Sequence, residues 1–141
     1  MGATNPNSRA RGWVLQFLYG WEAQNTSALA EHTENALGQR RVGLRYRPHI
    51  ERLIRVLNED MEQIDRSIAA CMENWRIDRL SVIDRSILRI GAAEMLHFDD
   101  IPPLVSVHEA IQLAEKYGSE ESPRFVNGVL DAVYRSLSSD H

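Results

Sequence analysis

The chain has 141 residues, of which 43% are hydrophobic and 26% charged, with a formal net charge of −4. That size fits one compact domain, or two small halves sharing an interface, and the composition excludes both a disordered and a membrane-spanning chain. One cysteine, Cys71, excludes an internal disulfide and a cysteine cluster for zinc, so a reducing cytoplasmic setting is expected, with Cys71 as small core filler.

Charge is uneven along the chain. Residues 1–60 carry +2 (8 basic against 6 acidic) and the remainder −6 (8 against 14), so a surface for a polyanion is to be sought near the N-terminal half. Fifteen of the sixteen basic residues are arginine, which suits planar, bidentate contacts. Residues 1–7 read as a flexible tail without the apolar segment of a signal peptide. Pro6 stands where a myristoylation signal at Gly2 needs Ser or Thr. In such a setting the sequon Asn25-Thr26-Ser27 is accidental.

Ser8 can cap a first helix to about Ala23. Ala10, Trp13, Val14, Phe17, Leu18 and Trp21 recur at the three-and-four spacing of a buried face. On the other face stand Arg9, Gly12, Gln16, Tyr19 and Gly20, a face low in bulk that suits a strand of RNA, another helix or plain solvent. A weaker helix is expected from Thr26 or Ser27 to about Leu37. Residues 38–47, GQRRVGLRYR, interleave Arg40, Arg41, Arg45 and Arg47 with Tyr46, the composition of a phosphate-contacting loop or of a solvated connector.

Pro48 opens a long helix whose apolar face runs from Ile50 through Leu53, Ile54, Leu57, Met61, Ile64, Ile68, Cys71 and Met72 to Trp75. A further helix carries Leu80, Ile83, Ile87, Ile90 and Gly91 to about Phe98, with Asp84, Arg85 and Arg89 on its flanks. Asp99 to Pro103 form a stop. The next helix is expected to start at Ser106, whose capping box with Glu109 would satisfy the first free N–H groups, and to end with Lys116 and a left-handed Gly118. Ser122 before Pro123 opens the last helix, with Val126, Val129, Leu130, Val133 and Leu137 on one stripe. Phe125 falls about 100 degrees off that stripe, beside Arg124, placed either to stack on a base or to close the edge of the core.

No segment alternates like a strand. The fold expected is all-α, with six or seven helices in two small antiparallel three-helix bundles packed together. The boundaries are a tail over 1–7 and one domain over 8–141, divided into bundles of about 8–73 and 74–138. His108-Glu109 begins like a zinc-protease helix, but Gln112 stands where the second histidine is required. The five histidines have no ligand spacing, and there is neither a phosphate loop nor a nucleophile elbow. A binding protein without catalytic residues, metal or cofactor is expected.

Several segments in order resemble one family. These are Arg9-Ala10-Arg11, Leu15 to Trp21 (LQFLYGW), Trp75, Arg79-Leu80, Ile87-Leu88-Arg89-Ile90, Glu94-Met95-Leu96, Ile101-Pro102, Glu109-Ala110-Ile111 and Phe125 to Leu130 (FVNGVL). Together they are similar to the NusB family of bacterial transcription antitermination factors, most weakly between residues 22 and 60. The resemblance implies two perpendicular three-helix bundles and pairing with the ribosomal protein NusE. It further implies binding of the boxA single-stranded RNA of ribosomal RNA leaders, and loading onto the RNA polymerase elongation complex with NusA and NusG. RNA-facing residues would be Arg9, Arg11, Tyr19, Tyr117, Glu121, Arg124 and Phe125, with Arg40, Arg41 and Arg45 as auxiliaries, and Asp84 and Arg85 would face NusE. Asn127 is left between RNA contact and a tie between helices.

The chain departs from the family pattern at Asn7-Ser8, where relatives carry further arginines, and at Pro123, His108 and Arg55; the loop at 40–47 would supply the missing positive charge. The alternatives are an RNA-targeting domain like that of ribosomal RNA cytosine methyltransferases, and a homodimeric helical adaptor without RNA.

Overall fold

The computed structural model describes residues 6–24, 27–73 and 76–139. Most of the expected tail, the sequon residues Asn25 and Thr26, and Trp75 lie outside the described residues. Among those described there are six α-helices and no strand: α1 Pro6–Gln24, α2 Leu29–Gln39, α3 Arg47–Ala69, α4 Val82–His97, α5 Pro103–Tyr117 and α6 Ser122–Ser139. One-turn 3₁₀ helices at Leu44–Tyr46 and Ile77–Arg79 precede α3 and α4.

The architecture follows from α4. Every residue from Ser86 to Met95 is buried: most are apolar or small, and the buried Arg89 and Glu94 are paired with partners inside the protein. The helix packs on α1 and α3 on one side and on α5 and α6 on the other. The helices α1, α2 and α3 also pack mutually, as do α5 and α6, so two three-helix groups share one core. At Gly91 a Cβ would stand 2.7 Å from Leu130 Cδ1, so α6 approaches the backbone of α4 there.

Several ends differ from those the sequence predicts. α1 begins at Pro6, where a missing N–H costs nothing, so the last tail residues are helical. α2 starts after Ala28, without a side-chain cap. α3 stops at Ala69, and Asp60 (φ −121°, ψ 24°) interrupts it. Its buried face therefore runs only to Ile68, with Cys71 and Met72 half-buried in the turn beyond. α4 starts at Val82, so Leu80, expected within it, precedes the helix, and Ser81 Oγ accepts the Asp84 N–H at 3.1 Å.

The capping box at Ser106 is not one. α5 already starts at Pro103, since proline is preorganised for the first turn, and both side chains of the supposed box are used elsewhere. Gly118 ends α5 in extended backbone (φ −88°, ψ −171°), not in the left-handed region. Glycine is required there by close approach: a Cβ would meet Ser122 Cβ at 2.5 Å. Ser122 is buried, and its Oγ accepts the Ser119 N–H at 2.9 Å, which fixes the turn into α6.

Candidate nucleic-acid interface

α1 and α5 flank a cleft of about 400 Å³. Each helix contributes one stripe at i, i+3, i+4 and i+7, the spacing that brings side chains to one face. From α1 these are Arg9, Gly12, Trp13 and Gln16, and from α5 Glu109, Gln112, Leu113 and Lys116, followed by Tyr117. Arg9 is exposed and has no ion pair among the described residues. The Lys116 ammonium lies 5.2 Å from the Tyr117 ring centroid. Two cations, two rings and two amides thus surround one opening.

Beneath it runs a buried ionic layer. Arg11 is 3% exposed; its Nε and Nη2 donate to Glu94 at 2.7 and 3.0 Å, and its Nη1 to Glu109 at 2.7 Å. Glu94, fully buried on α4, also meets His49 Nε2 at 2.8 Å and accepts from Ser106 Oγ at 2.7 Å. Ser8 Oγ donates to Glu109. Burial alone would raise the Glu94 pKa, but hydrogen bonds from His49, Arg11 and Ser106, with the Arg11 charge, outweigh it and hold the carboxyl below its ordinary value.

Arg11, expected to face RNA, is thus engaged within the chain at the base of the cleft. Its donors are taken by two carboxylates, and it ties α1 to α4 and α5. Arg85, expected to face a protein partner, is half-buried and engaged within the chain. Its Nε and Nη2 hold Glu22 at 3.0 and 2.7 Å, and its Nη1 donates to the Leu80 and Ile77 carbonyls. Arg89, expected on a flank, is 8% exposed and grips Asp65 twice at 2.9 Å and Glu22 at 3.0 Å. Asp84 remains half-buried in the first turn of α4, and its Oδ1 has no hydrogen-bond partner among the described residues.

The other expected contacts are not among the residues that line the cleft. Tyr19 is 50% exposed, further along α1. Arg40 Nη1 donates to Gln16 Oε1 at 3.4 Å, which brings the basic loop to the cleft rim. Arg41 is exposed. Arg45 is folded over Tyr46, 5.0 Å from the ring centroid, and donates to its hydroxyl at 2.8 Å. Glu121 and Arg124 are exposed, whereas Phe125 is half-buried and packs on the core; none of these three lines the cleft. Asn127 is exposed and has no side-chain hydrogen bond to another helix among the described residues. Arg9 and Tyr117 are therefore brought together. Gln112 and Lys116, which sequence reasoning does not place at the site, join them, and their only signal is the four-residue spacing on one face of α5.

Residues 8–135 match the model of the NusB family. The chain belongs to the NusB family. It is 38% identical to the transcription antitermination protein NusB of Pseudothermotoga lettingae over 133 residues, covering 94% of each chain. The solved NusB of T. maritima superimposes with a TM-score of 0.83 at 34% identity, over 94% of this chain and 93% of that one. A chain in the crystal structure of antitermination factors NusB and NusE in complex with dsRNA gives 0.81 at 26% identity, over 95% and 99%. Membership in the NusB family, with relatives named as antitermination proteins, favours neither alternative from the sequence. No helix among the described residues is long and apolar enough to cross a membrane.

Proposed function

We propose that this chain is a transcription antitermination factor that binds boxA-type RNA of ribosomal leaders together with NusE, and loads with NusA and NusG onto RNA polymerase. The observation that carries the reading is the α1–α5 cleft. Unpaired Arg9 and Lys116 would attract the phosphate backbone, and Tyr117 offers a face for a base. The family relation supplies the rest: a relative is named an antitermination protein, and a similar chain comes from an assembly of NusB, NusE and dsRNA.

In this reading Tyr19 and the exposed part of Phe125 extend the stacking surface to either side, and Arg124 adds a phosphate contact. Glu121 helps only by accepting a base N–H, since its charge repels phosphate. Arg40 and Arg41 lengthen the basic track past Gln16, and Arg45 adds charge from its position over Tyr46. Asp84 and Arg85, in the first turn of α4, would mark the side that meets NusE. The mechanism makes and breaks no covalent bond. NusE adds buried surface and preorganises the pair, a coupling free energy between partner and RNA.

The test is a titration of fluorescent boxA RNA with and without NusE, at several salt concentrations, against a duplex of the same sequence. Tighter single-strand binding with NusE, falling steeply with salt, is expected. No binding in either case overturns the proposal, and a preference for the duplex overturns the single-strand part of it.

A further inference from the structure

Gly12 is unexplained by the fold. It sits inside α1, where glycine is among the least favourable residues, and its backbone is not in the left-handed region that would call for it. A Cβ built there meets no atom within 4 Å. Gly20 and Gly91 have internal reasons, a Cβ pressing on His32 Nε2 at 3.1 Å and on Leu130 Cδ1 at 2.7 Å, whereas Gly38 and Gly128 share the open surround of Gly12 but do not line the cleft. Nothing within the chain needs Gly12 to lack a side chain.

What does lie beside it is the cleft. Gly12 stands one turn from both Arg9 and Gln16, facing Gln112, Lys116 and Tyr117 of α5. We infer that the bare backbone at Gly12 is clearance for one unpaired nucleotide of the bound strand, seated against α1 within the cleft. About 400 Å³ is the size of a small-ligand pocket, not of a duplex groove. A nucleotide matches its lining: Arg9 and Lys116 suit the phosphate, Tyr117 the flat face, and the Gln16 and Gln112 amides, each both donor and acceptor, suit a base edge. This rests on the RNA-binding reading above and makes Gly12 a specificity-determining residue of that site.

The experiment uses the full chain with NusE, titrated with boxA RNA, comparing Gly12→Ala, Gly12→Ser and the unaltered protein. Gly12→Ala should fold, with its melting temperature unchanged or raised, because alanine favours the helix. It should nevertheless lose about tenfold or more in RNA affinity by closing the seat. The slope of affinity against salt should stay as it was, since the phosphate contacts remain. Gly12→Ser should lose affinity at least as much, and its retained helix content by circular dichroism would separate a blocked seat from a damaged fold. If both variants bind RNA as the unaltered protein does, the clearance role is overturned while the RNA-binding reading stands. A variant that changes self-association in sedimentation but not RNA affinity likewise overturns it, in favour of a second copy at that face. If the unaltered protein binds no RNA, it is the reading of the function that falls.

Discussion

The floor of the α1–α5 cleft and its rim are built from the same residue type put to opposite uses. On the floor, Arg11 is enclosed and held by Glu94 and Glu109; a helix away, Arg85 and Arg89 are held by Glu22 and Asp65. On the rim, Arg9 is exposed with no ion pair among the described residues, as is Arg41 on the loop beyond. A buried guanidinium must have its charge met inside the protein, because removing it from water costs several kcal/mol that only close partners offset. An exposed one keeps its hydration and remains free to exchange counterions for phosphate. The first kind sets the angle between helices, and the second can bind a polyanion.

The sharpest way to break this division is at Glu94. Glu94→Ala leaves Arg11 and His49 buried without their carboxylate, and is expected to cost roughly 3–5 kcal/mol of stability, read from the midpoint of denaturant unfolding. The same residue gives the layer a pH signature. Its folded pKa is lowered below the ordinary 4.5, so its contribution is present above that value and is lost as pH falls through the folded pKa. Stability should decline on acidification below about pH 4.5, and Glu94→Gln should flatten that decline. Asp100, held at about 2 by its hydrogen bonds from Arg52, titrates in the same sense at the surface, so the comparison is between variant and parent rather than against zero slope. An equal acid slope in both would remove Glu94 as the source.

How far the sequence could show this division depends on the kind of signal. Helix existence was legible in the three-and-four spacing of apolar residues, since α1, α3 and α6 each bury a stripe. Ends were legible where one local device decided them, as at Ser122 before Pro123, and illegible where two competed, as at Pro103 and Ser106. The fate of each arginine was the least legible. Arg9 and Arg11 are two positions apart on one helix, about 200 degrees around its axis, and only the arrival of Glu94 from α4 tells them apart. Glu94 itself carries a signal that periodicity overlooks: a carboxylate amid Gly91-Ala92-Ala93 and Met95-Leu96 on an otherwise apolar helix requires a buried cation nearby.

Aromatic residues should give smaller, separable effects. Tyr117→Ala, on the rim, is expected to weaken RNA binding by roughly 1–3 kcal/mol with little change in unfolding midpoint. Phe125→Ala should lower both, because its ring packs on the core as well as reaching the surface. Fluorescence titration and thermal melts on the same preparations check this. A Phe125 variant that loses stability but keeps full RNA affinity assigns the ring to the core alone.

The smallest effects are expected on the basic loop, where they test whether the rim extends beyond the cleft. Arg40 reaches Gln16 only by a long hydrogen bond of 3.4 Å at the surface, so Arg40→Ala should leave stability within about 0.5 kcal/mol of the parent. If the loop touches phosphate, the double variant Arg40→Ala, Arg41→Ala reduces the slope of log affinity against log salt by roughly one for each phosphate no longer neutralised. Arg9→Ala gives the reference slope change for a cation within the cleft itself. Because the slope reports phosphates and the melting curve reports internal partners, the pair of measurements sorts each arginine without any structure of the complex. A double variant with the parent's slope would confine the rim to the two helices and leave the loop as a solvated connector.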